Sequence, residues 1–571
     1  MIGPGWFDRA DALRRMADDG VDVLVVGGGI TGAGCALDAA SRGLRVGLVE
    51  RDDFASGTSS KSSKLVHGGL RYLQQGEVGL VYQALHERQR LLRNAPHLVQ
   101  VLPFLIPMFT GKGGVLNPKL SRALGSAMWA YDLTGGLRIG KRHERISAEE
   151  AVGYMPTLRS GRLAASYLYY DAQADDARLT LALARTAAVD HGAAVANGTR
   201  LVGLDKDGDG RVTAARVEAD GQELTIDCQA VVNAGGVWAD DVRALDEGAH
   251  PDSIRPAKGV HITVPWDLVR NRIAAVVPVP GDKRSVFVVP WGDLTYIGTT
   301  DTDYQGPVAD PQCTAEDVEY LLRAINGAIE GTITPADVVG TWAGLRPLVR
   351  SASSGRTADL SRKHKVAPSP SGVTTITGGK LTTYREMAAD TIDEVVEGLP
   401  DPQPRSVRRS RTAKLRLRGA EGFEALLTGA DARTEHLARR HGGEARTLLA
   451  MVDRDPDLGR PLVEGLPYLR AEAVYAARHE MARSVDDVLS RRTRARILAR
   501  DASDAAAEEV GALIAPELGL SPEQFADQVA AYRRSLAEER AANEAATDAE
   551  VESEPVPAVD SPRLTEETRL A

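Results

Sequence analysis

Short apolar runs alternate with helical patterns in the N-terminal part of the chain. Val23–Val26 and Val46–Val49 are continuous and largely β-branched, which is typical of strands buried on both faces of a parallel sheet. Between them, Ala33–Ser41 is rich in small residues and continues as a helix. Strand, helix and strand in this order predict a β–α–β unit with parallel strands.

The same kind of pattern continues toward residue 400. Apolar residues at helical spacing predict an amphipathic helix over Leu80–Leu92. Val195–Val217 predicts a strand, an Asp-Gly turn and a second strand, and Ala230–Trp238 predicts a strand that runs into a glycine turn. Leu381–Leu399 predicts a helix directly after two glycines. These elements indicate an α/β (α+β) protein.

The run Val101–Phe109 is apolar but contains Pro103 and Pro107. It is too short to span a bilayer, which takes about 20 residues. Proline cannot donate to a strand ladder, so we interpret this run as a buried edge strand. The alternative interpretation is a lip that dips into a membrane or faces a quinone.

The pattern changes near Pro400, where prolines cluster ahead of a strongly basic run, Arg405–Arg418. We interpret this run as a solvated linker, with contact to anionic lipid or an acidic partner as the alternative. Helical patterns follow, including Ala471–Arg500, and the last part lacks large apolar residues, which predicts disorder. The predicted segments are an N-terminal extension (1–20), interleaved dinucleotide- and substrate-binding domains (21–400), a linker (401–419), a helical C-terminal domain (420–537) and a disordered acidic tail (538–571).

Composition narrows the class of protein. The 571 residues are 43% hydrophobic and 26% charged, which is ordinary for a globular protein of two or more domains. A formal net charge of −10 argues against nucleic acid as the main partner. The three cysteines show no paired spacing, so we expect no disulfide framework and no metal site. Without a signal-peptide pattern or a long apolar run, we expect a cytoplasmic protein.

Glycines directly after the first strand carry the most specific chemistry. Gly27, Gly29 and Gly32 fit G-x-G-x-x-G, and Glu50 follows the second strand. Such glycines allow a tight turn and close approach of a pyrophosphate to the helix N-terminus, and the acid binds ribose hydroxyls. The sequence therefore predicts a dinucleotide site, without separating NAD from FAD.

Three further segments combine cations, hydroxyls and glycines. Arginine and lysine in such surroundings suit an anionic ligand, because they form charge-assisted hydrogen bonds with phosphate. A histidine beside a nucleotide fold suits hydride chemistry, in which a base takes the alcohol proton. The candidates are Lys64, His67, Arg71 and Tyr72 in the first segment, Lys258, His261 and the later Arg346 in the second, and Arg362, Lys380 and Thr382 in the third.

The chain resembles the FAD-dependent glycerol-3-phosphate dehydrogenases of the aerobic, quinone-linked type. The resemblance covers the chain from about Asp22 to Leu536, and its most specific string is Ser-Ser-Lys-Leu-Val-His-Gly-Gly-Leu-Arg-Tyr, ending at Tyr72. The long acidic tail departs from the compact family pattern. The strings that carry the resemblance are Gly27–Gly34, Thr58–Leu73, Lys258–His261, Gly344–Leu348, Gly378–Arg385 and Tyr475–Arg494.

The resemblance implies a Rossmann-like FAD-binding domain of the D-amino-acid-oxidase type, with an inserted substrate domain and a helical C-terminal cap. It implies that His67 or His261 accepts the C2 hydroxyl proton of sn-glycerol 3-phosphate while hydride passes to flavin N5, giving dihydroxyacetone phosphate. The implied substrate-binding residues are Arg71, Tyr72, Lys258, Arg346, Arg362, Lys380 and Thr382. The implied cofactor-binding residues are Gly27, Gly29, Gly32, Glu50, Thr58, Ser62, Lys64, Leu65, Gly68, Gly235, Gly378 and Gly379.

The resemblance also implies a quinone as electron acceptor and peripheral attachment to the cytoplasmic face of the membrane; a homodimer is a further hypothesis. Three alternatives stay open at this point. A glycerol-3-phosphate oxidase would pass the electrons to oxygen, a flavin-binding regulatory protein would bind without turnover, and a nicotinamide enzyme would use the same glycine turn.

Overall fold

The computed structural model describes residues 7–69, 77–110, 125–126, 128–129, 131–132, 140–282, 284–350, 363–400 and 407–553. The strands are β1 (Val21–Val26), β2 (Val46–Val49), β3 (Leu65–Val66), β4 (Val99–Phe109), β5 (Glu144–Ile146), β6 (Leu163–Ala174), β7 (Ala194–Ala196), β8 (Thr199–Lys206), β9 (Val212–Ala219), β10 (Gln222–Asn233), β11 (Ile254–Pro265), β12 (Ala274–Pro278), β13 (Ser285–Trp291), β14 (Leu294–Gly298), β15 (Thr302–Asp303), β16 (Gly340–Val349), β17 (Lys365–Pro368) and β18 (Val373–Thr377). The helices are α1 (Arg9–Asp19), α2 (Ile30–Arg42), α3 (Val78–Asn94), α4 (Ala148–Tyr154), α5 (Asp176–Arg185), α6 (Ala239–Glu247), α7 (Trp266–Val269), α8 (Ala315–Ala328), α9 (Tyr384–Gly398), α10 (Phe423–Leu427), α11 (Ala432–His441), α12 (Ala445–Arg454), α13 (Arg470–His479), α14 (Ala495–Leu498), α15 (Arg500–Ala505), α16 (Ala507–Leu518), α17 (Pro522–Glu544) and α18 (Asp548–Ser553).

The first sheet has the strand order β17-β18-β10-β1-β2-β7, with β9 and β8 added to β10. Strands β18, β10, β1, β2 and β7 run parallel to one another. Every residue of β1 is buried because both faces of the sheet are covered. Val23 and Val25 pack toward α2 and α9, whereas Leu24 packs toward Met16 of α1. This two-sided burial explains the continuous apolar run in the sequence.

The parallel strands bring four loops to one edge of this sheet. The carboxyl ends of β1, β2, β10 and β18 lead directly into Gly27, Glu50, Ala234 and Gly378. Because carboxyl ends of parallel strands share an edge, segments that lie far apart in sequence converge there. This edge is the place where an open α/β sheet binds its ligands.

The second sheet has the strand order β15-β11-β14-β13-β12-β4-β6-β3, with β16 paired to β11 and β5 paired to β6. Its strands come from between β2 and β7 and from between β10 and β17, so the two sheets interleave along the chain. The prediction of an edge strand at Val101–Phe109 was wrong in its position. Strand β4 lies inside the sheet, and its prolines flank Phe104 and Leu105, the two residues that pair with β12.

The C-terminal region is helical, as predicted, but it is divided more finely. The predicted helix over Ala471–Arg500 is interrupted, because Met481 and Arg494 adopt left-handed φ angles of +51° and +73°. Helix α17 continues to Glu544, and α18 follows within the segment predicted to be disordered. None of the helices in the described part of the chain has the length and hydrophobicity to cross a membrane.

Candidate functional site

A cavity of about 550 Å³ opens at the carboxyl edge of the first sheet and extends to β11 and β16 of the second. Its volume is in the usual range for a small-molecule or cofactor site. The sequence-predicted residues that line it are Gly27, Gly29, Glu50, Thr58, Ser62, Leu65, His67, Gly235, His261, Arg346, Gly378, Gly379, Lys380 and Thr382. The structure thus brings most of the candidates into one cavity.

The three glycines of the turn after β1 have different structural roles. Gly27 has a φ of +109°, and a Cβ there would lie 2.6 Å from the Ala234 carbonyl oxygen. A Cβ on Gly32 would lie 1.8 Å from the carbonyl oxygen of Gly27, so this glycine lets α2 pack against the turn and does not line the cavity. A Cβ on Gly29 would meet only the Ser59 hydroxyl among the described residues outside its own turn, at 3.1 Å. Gly29 therefore keeps space open at the N-terminus of α2, where a pyrophosphate would sit.

Glu50 directly follows β2, beside this turn, and is half-buried. Its carboxylate accepts hydrogen bonds from the backbone N–H groups of Gly28 at 2.6 Å and Asp52 at 2.9 Å. Burial raises the pKa of Glu50 to about 7. Nearby, the guanidinium of Arg51 lies 4.6 Å from the centre of a ring of Trp238. All three side chains line the cavity, so this end has the acid and the aromatic surface that an adenosine group would need.

Of the two predicted bases, His261 has the more constrained side chain. Its imidazole stacks on Trp342 with 4.7 Å between ring centres, and Nε2 shares a 2.9 Å hydrogen bond with the Ser63 hydroxyl. Burial, together with the cations Lys64 and Arg346, holds the pKa of His261 well below its usual range. Its Nδ1 has no hydrogen-bond partner among the described residues. The lowered pKa keeps this imidazole neutral but makes it a weaker base than an ordinary histidine, with Nδ1 as the atom that would accept a proton.

Arg346 lies on β16 and pairs with Ala257 of β11, so Gly259 stands two residues further along the neighbouring strand and on the same face. A Cβ on Gly259 would lie 2.5 Å from Nη2 of Arg346, so the guanidinium occupies the space that a side chain would take. The guanidinium donates to Asp301 at 2.9 Å and to the Thr299 hydroxyl at 3.2 Å. It is held in place at the cavity wall, where it can meet an anion.

Four sequence candidates for the site lie elsewhere in the fold. Lys258 is on the opposite face of β11, where its ammonium pairs with Asp317 at 2.7 Å and with Asp548 at 2.5 Å. Lys64 points into the protein beneath the cavity rather than lining it. Gly68 packs against Leu85 and the Tyr131 hydroxyl, and Gly32 packs against the glycine turn. Arg71, Tyr72 and Arg362 lie outside the described residues.

Thr382 joins two of the converging loops. Its hydroxyl accepts a hydrogen bond from the backbone N–H of His67 at 3.2 Å and lies 3.4 Å from the carbonyl oxygen of the same residue. The side chain is buried and lines the cavity. Thr382 therefore ties the loop that carries His67 to the loop that carries Gly378 and Lys380.

We expect Thr382→Val to lower turnover by about tenfold, because the loop that carries His67 loses its tether and small displacements of reacting groups are costly. Flavin content and steady-state rates measured side by side would check this. Thr382→Ser keeps the hydroxyl and is expected to stay near the parent rate. A valine variant with the parent turnover would contradict a tethering role for this hydroxyl.

Sequence reasoning missed several residues that shape the cavity. Ser63 bonds to His261, Trp342 stacks on that imidazole, and Asp301 bonds to Arg346. Asp176 supports the loop below the cavity. Only Ser63 carried a sequence signal, since it lies inside the most specific string. The others come from a distant strand, helix and loop, and the sequence does not reveal that these lie beside the cavity.

The glycine cradle, the acid after the second strand and the interleaved sheets define a dinucleotide-binding α/β protein of the oxidoreductase kind. A family model described as FAD dependent oxidoreductase matches residues 22–385. A second, described as the C-terminal domain of alpha-glycerophosphate oxidase, matches residues 410–525.

Individual relatives agree with these matches. Glycerol-3-phosphate dehydrogenase 2 of Mycobacterium tuberculosis is 40% identical over 543 residues, covering 93% of this chain and 90% of that protein. A mitochondrial glycerol-3-phosphate dehydrogenase of Arabidopsis thaliana is 37% identical, with 88% and 84% covered. The crystal structure of glycerol-3-phosphate dehydrogenase from Bacillus halodurans, complexed with FAD, matches with a TM-score of 0.73 and 30% identity over 92% of this chain and 96% of that one. The chain belongs to the FAD-dependent glycerol-3-phosphate dehydrogenase family.

Proposed function

We propose that this protein oxidises sn-glycerol 3-phosphate to dihydroxyacetone phosphate with bound FAD and passes the electrons to a quinone. The observation that carries the proposal is that Arg346 and His261 line the same cavity as the glycine cradle of the first sheet. An anion-binding cation and a neutral base thus share one cavity with a dinucleotide site. The names of the relatives supply the substrate, which this chemistry fits.

The cations at the cavity wall would bind the substrate phosphate. Arg346 presents a planar guanidinium held by Asp301 and Thr299, and Lys380 lines the same cavity beside Gly379. Guanidinium and ammonium groups bind phosphate oxygens by charge-assisted hydrogen bonds, and arginine can do so with two parallel bonds. A phosphate bound by these two cations would lie at β16, with the carbinol end of the substrate free to face the cofactor.

The oxidation removes a proton from the C2 hydroxyl and a hydride from C2. When bound, FAD supplies the two-electron acceptor for that hydride. We infer that His67 or His261 accepts the hydroxyl proton, because both line the cavity. The stacking contact with Trp342 and the hydrogen bond with the Ser63 hydroxyl hold the ring of His261 in place.

An anaerobic titration of the purified yellow protein tests this function. We expect sn-glycerol 3-phosphate to bleach the flavin absorbance, since substrate oxidation must reduce the cofactor. Glycerol and inorganic phosphate are the matched controls and are expected to leave the spectrum unchanged. A flavin that stays oxidised with the substrate would show that the substrate assignment is wrong, and a colourless protein would point to a different cofactor.

The acceptor is tested separately, by mixing the reduced protein with a short-chain quinone or with oxygen. We expect fast reoxidation by the quinone and slow peroxide formation. Rapid peroxide formation without quinone would favour the oxidase.

A quinone is lipid-soluble, so we also propose peripheral contact with the membrane, which co-sedimentation with phospholipid vesicles would test. That the protein is a homodimer stays a prediction, which a measurement of its molecular mass in solution would test.

A further inference from the structure

Buried ion pairs join the C-terminal helical region to α5 and to the loop after β2. Arg178 of α5 donates two hydrogen bonds of 2.8 Å to Glu480, which follows α13. Arg492 pairs in the same way with Asp53 at 2.8 and 2.9 Å. Breaking one partner of a buried pair leaves an uncompensated charge, so such pairs hold the packing of the two parts firmly. These two pairs do not themselves line the cavity.

Arg494 makes a different kind of contact, because it reaches the segment 58–64, which we call the cavity loop. Its side chain is 1% exposed. Nε donates to Asp175 at 3.0 Å, Nη1 to the carbonyl oxygen of Ser60 at 3.4 Å, and Nη2 to Asp176. The guanidinium of the helical region therefore touches the cavity loop directly and through a carboxylate.

Asp176 bridges Arg494 and Ser62, which lies at the centre of the cavity loop. Its side chain is fully buried and accepts hydrogen bonds from the backbone N–H of Ser62 at 3.0 Å and from the Ser62 hydroxyl at 2.6 Å. The ammonium of Lys64 lies 3.1 Å from the same carboxylate and donates to the Ser60 carbonyl at 2.9 Å. Lys64 and Arg494 thus face Asp175 and Asp176 in one buried cluster, and Arg440 approaches Asp175 at 3.7 Å from the helical region.

The other side of the cavity loop faces the cavity. Ser62 and Ser63 line it, and the Ser63 hydroxyl bonds to Nε2 of His261 at 2.9 Å. The carbonyl oxygens of these two serines accept hydrogen bonds from Trp342 at 3.2 Å and Tyr296 at 2.9 Å. One short loop is therefore fastened to the helical region on one side and to the base on the other.

We propose that Arg494 is a positioning residue, through which the C-terminal helical region sets the place of the cavity loop and of His261. The kinetic part of this inference rests on the proposed function. Removing the guanidinium leaves Asp176 paired with Lys64 and Asp175 near Arg440 at 3.7 Å, so the cavity loop loses its direct contact with residue 494. Misplacement of a reacting group by about 1 Å can cost on the order of a hundredfold in rate.

The experiment compares Arg494→Met with Arg178→Met in FAD-loaded protein. Both changes remove a buried guanidinium from the same interface, so similar losses of thermal stability are expected. Only Arg494→Met is expected to slow flavin reduction at saturating sn-glycerol 3-phosphate, by about ten- to hundredfold. Arg494→Lys keeps the charge without the planar fork and is expected to recover part of the rate.

Hydrogen–deuterium exchange of the same FAD-loaded proteins, without substrate, gives a readout that does not need turnover. The amides of Ser62 and Lys64 are bonded within the cluster, so Arg494→Met is expected to speed exchange in peptides covering 58–64. Arg178→Met is expected to leave these peptides unchanged. If Arg494→Met does not fold, it is replaced by the double variant Arg494→Met/Asp175→Asn, which removes one charge of each sign. The single variant Asp175→Asn is then its control.

The positioning role would be overturned if the Arg494→Met protein exchanged its amides in 58–64 and reduced its flavin at the same rates as the parent protein. Equal slowing and equal exchange in both methionine variants would also overturn it, since the effect would then be a general loosening of the interface. If the parent protein is not reduced by the substrate, the proposed function fails. The exchange experiment then still decides whether Arg494 holds the cavity loop.

Discussion

Replacing Gly29 by valine is expected to give a folded protein that holds no flavin. Outside its own turn, a Cβ at this position meets only the Ser59 hydroxyl among the described residues, at 3.1 Å. The branched side chain would instead enter the cavity at the N-terminus of α2, in the space for the pyrophosphate. Overpacking typically costs about 1–3 kcal/mol, and the upper end of that range weakens binding by about a hundredfold. The ratio of flavin to protein absorbance, beside a circular dichroism spectrum, measures the result.

Two other glycines make this prediction specific. Gly153→Val places valine on an exposed helix where the described residues leave space, so normal flavin content is expected. Gly32→Val drives a side chain into the carbonyl of Gly27, so loss of the fold itself is expected. A Gly29→Val protein with full yellow colour would show that the cofactor does not lie against this turn.

The sequence predicted the first sheet and its glycine turn well, because local pattern and tertiary role coincide there. Strand β2 was predicted at the bounds the structure shows, and α2 and α3 were predicted within a few residues. In contrast, β4 was misplaced at a sheet edge. Its prolines indicated a strand that cannot be fully paired, but the structure accommodates them beside a two-residue pairing with β12.

The direction of a side chain was harder to predict than the position of its motif. Lys258 and His261 belong to one string, but they are three residues apart on a strand, so they point to opposite faces. A strand assignment for the string would have separated them. Lys64 has no such signal, since its partner Asp176 is more than a hundred residues away.

The arginines near residue 492 show the same limit in the helical region. A basic run at helical spacing usually indicates a solvated face. Here Arg492 and Arg494 are 2% and 1% exposed, because Asp53 from the loop after β2 and Asp176 from α5 approach them. Charge alone did not reveal this burial, since the compensating carboxylates lie more than 300 residues earlier in the chain.

Replacing Arg346 by methionine is expected to lower kcat/KM for sn-glycerol 3-phosphate by about a hundredfold, mainly through KM. The guanidinium lies at the cavity wall with Asp301 and Thr299. Loss of charge-assisted hydrogen bonds to a phosphate dianion costs about 3 kcal/mol. Flavin content is expected to stay normal, since the glycine cradle lies on the other sheet. Steady-state kinetics on protein of known flavin content measure the change.

Arg350 offers a matched control at the end of the same strand. It pairs with Asp252 at 2.8 Å, its side chain is 55% exposed, and it does not line the cavity. Arg350→Met removes the same charge from the same strand and is expected to leave KM unchanged. If both variants raise KM equally, the effect comes from the electrostatic field of the whole protein rather than from a direct contact between Arg346 and the substrate phosphate. A normal KM in Arg346→Met would remove this residue from the phosphate site and leave Lys380 as the cation of that cavity to test next.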